Sequence, residues 1–390
     1  MSKRAIIISA IAAVFVFTVV IFFLTRKSFN TYEQSGAFNA VPETSPAILR
    51  INNPVKFFET LPDNEMVSLL MASQPANTLM LKIFEAFDYL SEFDDFKRLI
   101  NKNEVLISLN YSGRNDVDPL VIIPVKSKSE ADMFSKVVNK IKSNSEIASS
   151  IRKYDRVDIY NFQINGQSVY AAYYQGACFI SEKTLLIENA IRQSKLNSIA
   201  ENPQLESILK TTSAQADINF FINPQNAGAL FSGFLSSSMN VKAGQLKNYS
   251  GWTELDISIS EGKILMNGFS AAGDSDNYFA ETIINQQAVS SDIARILPQS
   301  TAFYTALFLS DIKAYVSDYE TYLQRRNLSI QKQNKIQQIE RETGIGIYDF
   351  MYEIADQQFA LAGINTNQNT PTSGRIWVVK AKSGSHALNK

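Results

Sequence analysis

Apolar residues follow three regimes along this chain: one unbroken run, several alternating stretches, and several stretches with helical spacing. The unbroken run comes first. From Ala5 to Leu24 only Ser9 and Thr18 interrupt it, and neither is charged. Twenty helical residues advance ~30 Å, the thickness of a bilayer's hydrocarbon core. Lys3 and Arg4 precede the run and Arg26 and Lys27 follow it. A cleaved leader has a shorter apolar stretch and a small-residue site after it, whereas this run ends in Phe22, Phe23 and Leu24. The pattern predicts an uncleaved single-span signal anchor. The amino terminus with Lys3 and Arg4 outweighs Arg26 and Lys27, which places the N-terminus in the cytoplasm and everything after residue 27 outside.

Residues 28–40 are mostly polar and read as a linker. Beyond them, residues 47–51 are strand-like and stop at Asn52-Asn53-Pro54, where a helix with Val55, Phe57, Phe58 and Leu61 begins. An Asn side chain can accept from an orphan amide at a helix start, and proline at the first helical position loses no needed donor. The device recurs at residues 218–222 followed by Asn223-Pro224. Residues 157–164 alternate, Asn165-Gly166 supplies a two-residue turn, and residues 167–174 run back. A short strand at 178–180 leads to Ser181, expected to cap a helix through Leu185 and Ile191. Residues 252–259 and 263–269 form a second hairpin across Glu261-Gly262. Residues 311–342 are polar and Gln/Lys-rich, an exposed helical pair broken near Asn327. Hairpins rather than βαβ crossovers predict an α+β fold with mainly antiparallel sheets.

Three landmarks occur twice in the same order. Pro42 and Pro298 differ by 298 − 42 = 256, Phe96 and Phe350 by 350 − 96 = 254, and Lys126 and Lys382 by 382 − 126 = 256. This spacing predicts a tandem repeat: a first unit over 41–297 and a partial second unit over 298–390, after the anchor (1–27) and linker (28–40). In the first unit Ser127-x-x-Glu130 has the form of a capping box and opens a helix through Met133 and Ile141. The second unit stops near the matching point, which favours a fragment of a longer protein over a half-unit packed on the first.

Several of these stretches resemble an uncharacterised family of bacterial membrane-anchored envelope proteins, domain-of-unknown-function family 3352. They are the anchor, the Pro-x-Thr-Ser opening at Pro42–Ser45, the strand and Asn-Pro junction over 51–54, the hairpin from Gly251 and the connector from Ile284. The resemblance implies an exported α+β repeat protein. It supplies no catalytic or binding residues.

Composition narrows the chemistry. The 390 residues are 45% hydrophobic with a formal net charge of −1, enough for one or two cores and without a field to attract nucleic acid. One cysteine, Cys178, excludes an internal disulfide and, with the single His386, disfavours zinc. His386 lies near the C-terminus, away from any motif that would make it a base. Cys178 sits between Ala177 and Phe179 on an apolar strand and reads as buried and inert. Glu92, Asp94 and Asp95 read as a solvated loop, and Asp116 and Asp118 as part of an inter-strand loop. Asp274 and Asp276 begin like a calcium loop, but Tyr278 and Phe279 follow where that motif needs other spacing and glycine. Phosphate-cradling glycine loops do not occur in the sequence. Lys136, Lys140 and Lys142 have the spacing of a solvated helix face. Tyr170, Tyr173 and Tyr174 read as core packing with one wet edge.

No cofactor, metal or nucleic acid is expected. The leading expectation is a non-enzymatic envelope protein of a bacterial inner membrane, held in the bilayer by residues 5–24 and facing the periplasm. There it would bind or scaffold another envelope protein or polymer. The alternatives are a carrier of a lipid or other apolar ligand, which requires a continuous apolar cavity, and a hydrolase, which requires two carboxylates converging in one cleft.

Overall fold

The computed structural model describes residues 36–60, 64, 84–85, 87–113, 116–164, 166–232, 244–260, 263–273, 278–365 and 373–385. The expected anchor with Lys3, Arg4, Arg26 and Lys27, the start of the linker, Asn165, Glu261-Gly262, Asp274, Asp276 and His386 lie outside the described residues. Among the described residues no helix is long and apolar enough to cross a membrane. The chain divides into two compact units, Met1–Lys247 with Gly251–Ala271, and Asn248–Ser250 with Ala272–Lys390. The fold class expected from the pattern, α+β with antiparallel sheets, holds in both.

The first unit is built on one ten-stranded sheet. Its strands are β1 (Ala47–Ile51), β2 (Val105–Tyr111), β3 (Val117–Pro124), β4 (Ser149–Tyr154), β5 (Val157–Ile164), β6 (Gln167–Tyr174), β7 (Ala177–Ser181), β8 (Ile218–Ile222), β9 (Thr253–Ser260) and β10 (Lys263–Ser270). They pair antiparallel in the order β10-β9-β8-β1-β2-β3-β7-β6-β5-β4. One face carries α1 (Pro54–Thr60), α2 (Asp94–Asn101) and α3 (Lys128–Ser143). The other carries a 3-10 turn, Gly36–Ala40, with α4 (Thr184–Gln193) and α5 (Pro203–Leu209). Alternation sorts the strands between two cores. In β2, Val105, Ile107 and Leu109 meet the first helical layer and Leu106 meets the second. A strand covered on both faces has no wet side, which is why β2 is apolar almost throughout.

The Asn-Pro junctions fold as their chemistry dictates. Asn53 accepts from the Lys56 amide at 3.3 Å where α1 begins, and Asn223 accepts from the Gln225 amide at 3.2 Å where α6 (Pro224–Ser232) begins.

The second unit has a three-stranded antiparallel sheet, β11 (Thr301–Phe308), β12 (Ala355–Asn365) and β13 (Ser373–Ala381), in that spatial order. Between β11 and β12 run α7 (Ile312–Arg325), α8 (Ser329–Thr343) and a π-helical turn, Phe350–Ile354. Asp311 caps α7 through the Ala314 amide at 2.9 Å. The expected break falls at Asn327, whose φ of 56° is one that asparagine tolerates better than most residues. Lys332 ties the helices together: its Nζ donates to Tyr348 Oη at 2.6 Å and Glu320 Oε1 at 3.0 Å, and lies over the Tyr319 and Tyr348 rings.

Four expectations are corrected. Gly36–Ala40 belongs to the fold rather than to a linker, because Ala37, Phe38 and Ala40 fill the second core. Asp94 and Asp95 open helix α2 instead of lying in a loop; carboxylates suit the positive end of a helix, and Asp95 pairs with Lys140 at 3.3 Å. Ser181 is the last residue of β7, not a helix cap; its hydroxyl donates to Pro119 O at 2.8 Å and accepts from the Lys183 amide at 3.2 Å. Ser127 does cap α3, but Glu130 reaches back to the Lys126 amide at 2.8 Å, one residue beyond the expected box.

Candidate functional site: an apolar cavity under the first helical layer

A cavity of about 420 Å3 lies in the first unit between the sheet and the helices of α1–α3. Strand register builds its floor. Ile107 pairs with Val121, Val121 with Ile180, and Ile180 with Ala171, so four side chains stand in one line across β2, β3, β7 and β6. Val169 and its partner Phe162 carry the floor onto β5. Because alternate residues face alternate sides, the same strands send Leu106, Ile122, Phe179 and Ala172 into the opposite core.

Helices supply the roof. Phe96, Leu99 and Ile100 of α2 and Phe134, Val137, Val138 and Ile141 of α3 recur at three- and four-residue spacing and point at the sheet. Phe58 of α1 and Phe87 stack at 3.9 Å between ring centroids and close one part of the wall. Polar lining comes from Glu85, Gln167, Ser181 and Glu182. A site that is apolar over most of its wall, with a few polar groups and a volume within ~300–1,000 Å3, has the properties of a small-molecule pocket. It is also far larger than the ~150 Å3 apolar cavities that stay dry and bind benzene.

The titratable groups expected to matter fall elsewhere. Cys178 is fully buried in the sheet, and burial, with Glu130 second, pushes its thiol far up. Asp118 lies in strand β3 rather than in a loop, where it accepts from the Ser112 hydroxyl. Lys140 is engaged by Asp95, and Lys142 lies 5.9 Å over the Tyr160 ring. Tyr173 is the exposed member of its trio, as a strand with one wet edge requires. Among the described residues no cluster of three or more His, Cys, Asp or Glu could hold a metal ion.

The pattern reading missed one polar cluster, on the opposite face of the sheet. Arg50 of β1, Asn219 of β8 and Asp256 of β9 stand in one transverse row. Arg50 Nε donates to Asn219 Oδ1 at 2.7 Å, and Asn219 Nδ2 donates to Asp256. Both Asp256 oxygens accept from the Ser213 amide at 3.1 Å. Glu254, two residues back on the same face of β9, is fully buried. Burial first, and the Asp256 carboxylate second, push its pKa up to about 8, against the Arg50 charge and the Asn219 amide. At neutral pH its carboxyl is therefore held largely in the neutral form. The signal in the sequence was an arginine inside an otherwise apolar strand, Ala47–Ile51, together with the alternating acids Glu254 and Asp256 of β9, which lies beyond β8 from β1. Two carboxyl groups therefore do converge, but in the interior of the sheet layer rather than on the cavity wall.

A family model described as a protein of unknown function (DUF3352) matches residues 102–390. That is about three quarters of the chain, and the chain belongs to this family. No curated protein and no solved structure matches it.

Proposed function

We propose that this chain is a non-enzymatic, membrane-anchored protein of the bacterial envelope whose first unit carries a lipid or other apolar molecule. The observation that carries the reading is the cavity: about 420 Å3, floored by a continuous apolar row and roofed by aromatic and aliphatic side chains. Anchorage in the inner membrane, with the folded units in the periplasm, is supported by the apolar run 5–24 and its flanking Lys3, Arg4, Arg26 and Lys27. Tandem duplication is supported by the three landmarks near one spacing. It is also supported by the shared order of strand, helices, strand, strand in β1–β2–β3 and β11–β12–β13.

A polarity-sensitive apolar dye tests the reading. The full chain is expected to bind one dye per molecule with a blue-shifted emission, and an apolar competitor to displace it. A chain that leaves the dye in water contradicts the reading. A second role, docking another envelope protein or polymer, is favoured by one observation. Phe303, Tyr304 and Trp377 of the second unit are exposed at 53%, 45% and 78%. Crosslinking in intact envelopes that recovers no partner would sink it.

A further inference from the structure

The strand pairing of the second unit repeats a register found in the first. Where β2 meets β3, Ile107 pairs with Val121 and Leu109 with Pro119; where β12 meets β13, Leu361 pairs with Trp377 and Gly363 with Arg375. The differences are 361 − 107 = 254 and 363 − 109 = 254 on one strand, and 377 − 121 = 256 and 375 − 119 = 256 on the other. Position by position, β13 stands in the register of β3. On its side away from β2, β3 pairs antiparallel with β7, Val121 with Ile180 and Ile123 with Cys178. Among the described residues no strand lies on the matching side of β13, where Trp377 and Val379 occupy the positions of Val121 and Ile123.

An open edge is ordinarily blunted by proline, by a bulge or by a projecting charge, because its unpaired amides and carbonyls are a template for another strand. From Ile376 to Val379 β13 has none of these: four apolar residues run in unbroken register with β12. The next residue, Lys380, is drawn to Asp292 of its own unit at 3.3 Å. The opposite edge, β11, differs in carrying a register shift between Thr301 and Phe303, the kind of irregularity that bends an edge away from a partner. Trp377, in the middle of the open edge, is 78% exposed.

We propose that β13 is a dimerisation edge, pairing antiparallel with β13 of a second copy of this chain about a two-fold axis. The edge requires an extended strand that is apolar on both faces and uncharged at its centre, and β13 itself is such a strand. Self-pairing also keeps like charges apart. With the axis at Trp377, Arg375 faces Val379 of the second copy; with the axis at Val378, it faces Ala381 of the second copy. Either register sets the two Trp377 rings opposite or diagonal to one another, within reach across the pair, so each exposed indole gains a cover. The inference goes beyond the apolar-ligand reading and does not depend on it.

Sedimentation of the full chain in a mild detergent, over a dilution series, is the test. The expected result is a reversible monomer–dimer equilibrium, with Trp377 emission moving to the blue as dimer forms. A nonapeptide copying Ser373–Ala381 is expected to compete with dimer formation. Trp377→Lys is expected to raise the dissociation constant about thirtyfold or more, the effect of losing one anchoring side chain and placing a charge on the edge. If that variant fails to fold, the peptide competition on the unaltered chain decides. A chain that stays monomeric at every concentration overturns the proposal, whatever else seats on the strand. A dimer that neither the peptide nor Trp377→Lys weakens overturns it too, because such a dimer forms through another surface. Dye binding by the first unit is read separately, so failure of the dimer leaves the apolar-ligand reading standing.

Discussion

Replacing Glu254 with glutamine should remove a pH dependence that the first unit otherwise carries. Glu254 is fully buried beside Asp256, and its pKa is raised from 4.5 to about 8. An unfolded chain releases that proton near the ordinary value, whereas the folded chain keeps it to about pH 8. Between those values the folded state binds more protons, so unfolding free energy falls as pH rises. The stabilisation is fully present below about pH 4.5 and lost by the time pH passes 8. One pKa unit corresponds to about 1.4 kcal/mol, so the whole shift sets a ceiling of about 5 kcal/mol. Relaxation and water entry around the new charge reduce this, and about 2–3 kcal/mol is the working magnitude.

Urea unfolding at a series of pH values measures it. Trp252 is buried in the first unit and Trp377 is exposed in the second, so a Trp377→Phe background leaves one reporter for the first unit. In that background the unaltered Glu254 chain should lose stability steadily from pH 4.5 to 8, while Glu254→Gln stays level in its contribution and overtakes it above about pH 7. Parallel curves for the two proteins across that window would refute the reasoning, because they would mean Glu254 ionises in the folded chain as it does in the unfolded one.

Other perturbations probe the remaining parts of the account. Val121→Thr replaces a methyl at the middle of the cavity floor with a hydroxyl of nearly the same size. It should weaken dye binding about tenfold, read by titration, while costing about 1–2 kcal/mol of stability. Lys332→Met removes the charge that joins Tyr348, Glu320 and Tyr319 but keeps a similar length. The group is partly exposed, so the cost is about 1 kcal/mol, seen as faster hydrogen exchange in α7 and α8 with the first unit unchanged. Glu320 is held below the usual carboxylate range by hydrogen bonds from Tyr348 and Lys332. Acidification through that range should therefore loosen the same helices before those of the first unit, by the same readout.

Strand boundaries and hairpins were legible because their signals are local. The period of two in residues 157–164 and 167–174, with a turn between them, is enough to specify β5 and β6. Asn-Pro junctions announced α1 and α6 for the same reason: one side chain and one missing donor decide the matter within three residues. The cavity was not legible. Ile107, Val121, Ile180 and Ala171 are far apart along the chain, and only the order β2-β3-β7-β6 makes them neighbours. Gly36–Ala40 misled because a short stretch among polar neighbours carries too few residues to show a period. Its burial is decided by the tertiary layer it meets. Arg50 in an apolar strand pointed to a buried polar partner, but the partner's identity depended on β8 and β9 lying beside β1.

The central claim is that the first unit holds an apolar molecule, and the most direct test is native mass spectrometry of the full chain isolated gently from its native source. The account predicts a species heavier than the bare chain by one long-chain molecule, which solvent extraction recovers in about one-to-one ratio. A chain that flies bare, yields no apolar molecule on extraction and takes up none when a long-chain alkanol is added would contradict it.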